Sequence, residues 1–369
     1  MQLPLSAASN GMTSFYNTIQ NLQEVFYIGT NQHVYEGYWA NGWIVGDITG
    51  SNPTAAPGSA LTSFNDPQNQ QEVFYEGTNQ HIYEAFYSNG WIVEDVTGSN
   101  PVAAPGTALT GFYNTVQNLQ EMFFIGANQH VYEAYWSNGW IVGDITGSNP
   151  PAAQGSGLTS FNNPQNQQEV FYEGTNQHIY EAFYSNGWLV EDVTGSNPVV
   201  VVGSPLTGFL NPQKNLQEVF YIGTNLHLYQ AYWSNGWIVG DVSGSNAVAA
   251  QGSALTSFFN PQQNMEEVFY VGANQHIYEA YYSNGWVVGD VTGSNPVAAP
   301  DSALTSFFNS GQNQQEVFYV GTNQHVYEAF WSGGWYFEDM SGSNQTSSAS
   351  CQLREYIWLN GKPVAIENQ

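Results

Sequence analysis

Carboxylates and aromatic rings recur together along this 369-residue chain. One glutamate opens each V-F-Y-like run, at Glu24, Glu72, Glu121, Glu169, Glu218, Glu267 and Glu316. A second follows each H-x-Y, at Glu36, Glu84, Glu133, Glu181, Glu279 and Glu328, with Gln230 in the fifth copy. Seven aspartates, Asp47, Asp95, Asp144, Asp192, Asp241, Asp290 and Asp339, stand near the end of each copy. Paired acids are the equipment of glycoside hydrolysis, where two carboxyls flank one bond. Acceptors beside aromatics are equally the equipment of polyol binding: a ring packs on the C–H face of a sugar while acids and amides bond its hydroxyls.

The repetition separates these chemistries. An active site needs one asymmetric constellation, whereas these acids are written seven times. Gln230 keeps an acceptor and loses the charge, which suits hydrogen bonding better than base catalysis or hard metal binding. The ring-forming part holds one basic residue, Lys214, so a sialidase-like arginine cluster for a carboxylate substrate is absent. With so few cations, the acids must find partners among backbone N–H groups, Tyr and Trp donors, waters or a polyhydroxylated ligand. The aspartate before T-G or S-G fits a turn fastener, because Asp side chains bond nearby backbone N–H groups. Each of the seven histidines stands alone in an N-Q-H or related turn, which predicts turn packing and no metal site. No residue set points to a cofactor.

The elements that must carry these residues follow from the repeat. Copies begin near Met12, Leu61, Leu109, Leu158, Leu206, Leu255 and Leu304. Each holds four short runs rich in Tyr, Phe, Trp, Val and Ile, as in LTSF, QEVFYEG, HIYEAFYS and WIVEDVTG of the second copy. Asn-Gly or related turns separate them, and no window offers a long helical period. Four strands per repeat predict an all-β, seven-bladed β-propeller with four antiparallel strands per blade. The expected division is a leader at 1–11, the ring at 12–342 and a tail at 343–369. In the tail, YIWLNGKPVAI reads as a hairpin that closes the ring, covers an edge strand or meets a partner chain. A paired swap supports close packing of the last two strands. Phe86, Phe183 and Phe330 accompany Glu94, Glu191 and Glu338, while Tyr38, Tyr135, Tyr232 and Tyr281 accompany Gly46, Gly143, Gly240 and Gly289.

A formal charge of −27 repels phosphate backbones and anionic lipid, so no nucleic acid and no membrane insertion is expected. The first residues lack a basic and apolar signal pattern, which predicts accumulation in the cytoplasm unless another export route acts. Cys351, the single cysteine, excludes an internal disulfide framework; it reads as a free thiol, or as an intermolecular bridge under oxidising conditions.

The candidate ligand-binding residues are the S-N-G-W turn and its flanks. They comprise Trp43, Trp91, Trp140, Trp188, Trp237, Trp286 and Trp335, with Asn41, Asn89, Asn138, Asn186, Asn235 and Asn284 in the turns. The aromatics ahead of the turn are Trp39, Tyr87, Trp136, Tyr184, Trp233, Tyr282 and Trp331, and the H-x-Y-E carboxylates complete the set. Blade seven departs, with Gly333 in place of the asparagine, and its pocket is expected to bind more weakly. The competing reading makes these aromatics blade core alone. A millimolar sugar site is worth only about −4.1 kcal/mol, and linking several raises avidity by ~10²–10⁴. That is a physical reason for writing one phrase seven times.

The seven H-[V/I/L]-Y-[E/Q]-[A/G]-x-[W/Y]-[S/A]-[N/G]-G-W copies, with E-[V/M]-F-[Y/F] upstream, resemble the seven-bladed propeller lectins of the Photorhabdus type. The resemblance implies a multivalent, fucose-binding, homo-oligomeric lectin acting in host recognition, with fucosylated or methylated glycans as partners and galactosides as further ligands. Six-bladed fungal fucose lectins are more distant, because their sites use an arginine that this ring lacks. The alternatives are a propeller scaffold that binds protein partners, or a glycoside hydrolase.

Overall fold

The computed structural model describes residues 11–100, 102–197, 200–246 and 248–341, and the backbone of 357–359 and 362–365. In blade one, β1 (Met12–Asn17), β2 (Leu22–Ile28), β3 (Val34–Trp39) and β4 (Trp43–Asp47) pair in chain order, each antiparallel to the last. Six further sheets repeat the same four-stranded meander, giving the predicted seven-bladed propeller. The first strand of each blade touches the first strands of both neighbours, so it lines the centre and the fourth strand forms the rim.

The second strand explains why its sequence is apolar on both faces. Successive side chains of a strand point to opposite sides, and both sides of a blade face another blade. Phe26 and Ile28 therefore pack with Leu61, Val73 and Tyr75 of blade two. Val25 and Tyr27 pack instead with Phe318, Val320 and Val326 of blade seven. Fully burying a residue such as Phe26 is worth about 2–3 kcal/mol, and equivalent clusters lie at every blade boundary. The glycine ending each second strand has a steric reason. A Cβ on Gly77 would lie 2.5 Å from the Tyr83 ring.

Blades one and seven meet through side chains of their own. Ser14 Oγ and Thr305 Oγ1 lie 2.8 Å apart, Gln23 donates to Glu316, and the Trp43 indole N–H reaches Glu328 at 3.1 Å. The tail contributes a separate two-stranded sheet, Ile357–Leu359 with Lys362–Ala365. Its Asn360–Gly361 turn and Cys351 lie outside the described residues.

The meander also sorts the turns. The hairpins joining first to second and third to fourth strands share one face of the ring. The N-Q-H turns and the ends of the fourth strands share the other. At that second face, every blade pairs its histidine with its aspartate, Nδ1 to Oδ2, at 2.6–2.7 Å. The aspartate's Oδ1 accepts the glycine N–H three residues on in most blades, as Asp47 does from Gly50 at 2.9 Å. Partial burial draws the pKa of Asp95, Asp144 and Asp290 upward, but the glycine N–H and the histidine outweigh it and hold these acids below the usual range. Histidine and aspartate together thus fasten the turn into the next blade.

Candidate functional site

The structure brings the aromatic ahead of the turn and the H-x-Y-E carboxyl together on the first face, in the cleft between one blade and the next, while no S-N-G-W tryptophan or turn asparagine lines either of the two cavities found there. Between blades three and four a cavity of about 250 Å³ is lined by Gln117, Leu119, Glu133 and Tyr135 on one side and by Gln168 and Tyr184 on the other. The cleft between blades seven and one places the equivalent residues alike. There Gln312, Gln314, Glu328, Phe330 and Glu338 face Gln23 and Trp39 across a cavity of about 60 Å³. A further cavity, about 200 Å³, lies among the loops around Ala104–Ala108 and Ala153–Ser156 and offers no charged or aromatic side chain.

Three layers build each cleft. At the mouth stands the aromatic that precedes S-N-G-W. Tyr87, Trp136, Tyr184, Trp233, Tyr282 and Trp331 are 36–41% exposed, and Trp39 is half-buried. Each lies edge-to-face on the tryptophan across its turn, for example Trp136 on Trp140 with centroids 5.7 Å apart.

That second tryptophan lies deeper. Trp43 is 4% exposed, and the other six are half-buried. Each wedges edge-on against the phenylalanine of the preceding blade, as Trp140 does on Phe74 and Trp188 on Phe123. The indole N–H points back towards the preceding blade's H-x-Y-E carboxyl. Trp43 donates to Glu328 Oε2 at 3.1 Å, and the Trp91 and Trp188 N–H groups stabilise Glu36 and Glu133 as anions. In Trp140 and Trp237 the buried Nε1 lies outside hydrogen-bond geometry, although each still tempers the pKa of Glu84 or Glu181.

The floor is acidic. The first glutamate of each copy is essentially inaccessible, and in Glu121, Glu267 and Glu316 its Oε1 accepts from an asparagine of its own blade and a glutamine of the next. Glu121, for instance, takes Asn114 Nδ2 at 2.9 Å and Gln168 Nε2 at 2.5 Å. Gln168 also reaches Glu133 Oε1 at 3.1 Å, so one amide ties both acids of a blade to its neighbour. Burial first, then the adjoining Glu133, pushes Glu121 up to about 8. Burial and Glu24 push Glu36 up to about 8 as well, against the pull of the Trp91 N–H and the Gln71 amide.

Blade five shows what these acids lack. In the other six blades the first glutamate's Oε2 is buried without a hydrogen-bond partner. In blade five Gln230 Nε2 donates to Glu218 Oε2 at 3.1 Å. Where an acid replaces that amide, a proton must do the same work, since two acceptors cannot satisfy each other. Within Glu72–Glu84, Glu169–Glu181 and Glu316–Glu328, burial first and then the neighbouring acids raise the pair's pKa, which favours the form that carries such a proton. These are the three blades of the Phe/Glu type.

The swap between Tyr/Gly and Phe/Glu blades also acquires a location. Glu84 is opposite Glu94 and Phe86 is opposite Ile92, so Phe86 and Glu94 are diagonal neighbours on one face of the hairpin. In the blade seven cleft Phe330 and Glu338 line the same cavity. The cleft wall therefore carries a phenol in blades one, three, five and six, and an additional carboxylate in blades two, four and seven.

The turn asparagines are exposed and hold φ near +58°, as Asn41 (59°) and Asn138 (57°) do. Asparagine tolerates this left-handed conformation better than most residues. Gly333, at φ 73°, adopts it without a Cβ penalty, so the blade seven replacement preserves the turn.

Residues absent from the sequence-derived set are the inter-blade amides Gln23, Gln71, Gln120, Gln168, Gln217 and Gln315, and Gln117 and Gln312 at the cleft mouth. Their signal was present: Glu266 stands at the glutamine position directly opposite Gln230, the one blade where the facing acid is an amide. Among the described residues no group of three or more His, Cys, Asp or Glu is placed to hold a metal ion, and no helix is long and apolar enough to cross a membrane.

No protein-family model and no curated protein matches the chain. Solved structures do. The BP39L lectin from Burkholderia pseudomallei is 18% identical, with a TM-score of 0.69 over 90% of this chain and 98% of that one. The Aleuria aurantia lectin, solved as a point mutant in complex with Fucα1-6GlcNAc, is 19% identical, with a TM-score of 0.56 over 77% of this chain and 96% of its own. The SapL1 lectin, solved with α-methyl fucoside, is 17% identical, with a TM-score of 0.54 over 76% and 95%. At these identities the likeness establishes one thing: this chain has the β-propeller fold on which those lectins are built.

Proposed function

We propose that this chain is a multivalent, non-enzymatic lectin that recognises L-fucose, and O-methylated sugars or galactosides, on host glycans. One observation carries the reading. A half-exposed aromatic ring and a glutamate face each other across an open cleft between blades three and four and between blades seven and one, and the sequence writes that pair in every copy but the fifth. The ring would take the apolar face of the sugar while the carboxyl, the amides and the phenol take its hydroxyls. The solved lectins that share the fold, two of them with fucosides bound, support the choice of sugar. So does the resemblance of the repeat phrase to the Photorhabdus-type lectins. The acids bind rather than catalyse, because most are buried and most are held by hydrogen bonds to neighbouring side chains.

Assembly into a homo-oligomer belongs to the same proposal. The rim strands expose Ile92, Ile141, Leu189, Ile238, Val287 and Tyr336, between 40% and 54% each. Cys351 offers an intermolecular disulfide under oxidising conditions.

A glycan array carrying fucosylated, methylated and galactosylated ligands tests the function. Selective capture by the first two classes supports it. A folded protein that is silent across the array, with no sugar-dependent change in Trp fluorescence, refutes it and favours a protein-binding scaffold.

A further inference from the structure

The cleft between blades five and six differs from the others in a coordinated way. Where blade three presents Gln117 and Glu133 to Gln168 and Tyr184 of blade four, blade five presents Lys214 and Gln230 to Glu266 and Tyr282 of blade six. Three of the four positions have changed, and the changes answer one another. Lys214 Nζ is ion-paired with Glu266, whose side chain is 2% exposed. Glu266 also accepts from Asn211 Nδ2 at 2.8 Å and from Gln230 Nε2 at 3.3 Å. The same ammonium lies 4.3 Å from the centroid of the Tyr282 ring. Tyr282 is the exposed aromatic of this cleft, the counterpart of Tyr184 and Trp39 in the other two.

We propose that Lys214 is a built-in occupant of the cleft between blades five and six, closing to neutral sugars a site that the clefts between blades three and four and between blades seven and one leave open. Lys214 is the only lysine or arginine among the described residues of the ring, and it covers the surface on which a sugar would stack. A neutral sugar entering there must lift the ammonium from the aromatic face and leave a buried carboxylate without its cation, a double cost that the cleft of Gln117 and Glu133 does not impose. The two residue changes around it, Gln to Glu at 266 and Glu to Gln at 230, keep the local charge balanced for the lysine. The closure of the site rests on the lectin reading; the position of Lys214 does not.

The experiment has two arms. Reductive ¹³C-dimethylation keeps the lysine charge and gives Lys214 and Lys362 separate NMR signals. The Lys214 methyls are expected upfield, displaced by the Tyr282 ring current, and the displacement is expected to vanish in Tyr282→Leu. A Lys214 signal at the free-lysine position overturns the proposal, whether or not any sugar binds. The second arm counts bound α-methyl fucoside by native mass spectrometry and locates it by crystal soaking. The wild type is expected to leave this cleft empty, and the triple variant K214Q/Q230E/E266Q, which writes the blade three–four residues there, to gain one site per chain. Sugar on Tyr282 in the wild type overturns the proposal. Loss of sugar binding at every cleft, with the methyl displacement intact, overturns the lectin reading and leaves Lys214 where the proposal puts it.

Discussion

At the level of single residues, the two aromatics flanking each S-N-G turn have divided the work that their sequence made look alike. Trp136 is 39% exposed and stands at a cleft mouth, whereas Trp140 is half-buried between blades and packs on Phe74. Substituting each by alanine should separate binding from folding. Trp136→Ala is expected to remove one sugar site, counted by calorimetry, while the melting temperature moves little. Trp140→Ala removes a large ring from a packed boundary, for which about 3 kcal/mol of lost stability is the expected scale. Equal destabilisation by both, measured by urea unfolding, would show that the mouth aromatic is core as well. The spacing of the sequence could not make this division, because both rings sit at strand ends one short turn apart, paired directly as Trp136 opposite Trp140.

Among the elements, the strands were legible and the ties between them only partly so. Each second strand reads VFY or its equivalent, each hairpin carries its turn residues, and the observed four-stranded meanders follow that pattern. The swap of Tyr/Gly for Phe/Glu also pointed correctly to residues that share a hairpin face. What the single repeat could not display is the bond from one blade to the next, since Gln168 satisfies Glu121 from a position 47 residues later. Only the paired departure at Gln230 and Glu266 betrays it. That departure predicts how the facing acids behave. Glu84→Gln should place in blade two the amide that blade five already uses, donating to Glu72 without needing a proton. Burial first, then the neighbouring acids (Glu84 and Asp66 on Glu72, Glu94 on Glu84), raise the pKa of the pair, so the native pair loses stability as pH rises and deprotonation forces two charges together. The variant is therefore expected to be more stable than the wild type at pH 9, by about 1–2 kcal/mol if one buried hydrogen bond is secured, and nearly equal at pH 5. Chemical denaturation at the two pH values measures this, and a variant weaker at pH 9 would show that the acid pair is not strained by ionisation.

For the whole molecule, the same chemistry repeated around a ring sets an unusual dependence of stability on pH. Burial is the first cause that lifts Glu24, Glu133 and Glu279 to about 7 and Glu36, Glu121 and Glu267 to about 8. Unfolded glutamates titrate near 4.3. A folded pKa raised above the unfolded value means that the folded state binds the proton more tightly. Its contribution is thus complete below about pH 4.3 and is lost as pH rises through 7 to 8. The turn aspartates act in the opposite sense. Asp95, Asp144 and Asp290 have lowered values, so their contribution is present above the ordinary aspartate pKa and lost as pH falls through the folded one. The two trends cross between the ordinary aspartate and glutamate values, so the melting temperature is expected to peak at about pH 4 and to fall as pH rises to about 8. A protein bearing a formal charge of −27 at neutral pH should show this fall at high salt as well, because buried pairs are screened far less than surface charge. Calorimetric scans from about pH 3 to about pH 9, spanning the aspartate and glutamate titrations, at low and at high salt decide the matter. A fall that disappears in high salt would assign it to repulsion across the surface, and one that persists assigns it to the protons held between the blades.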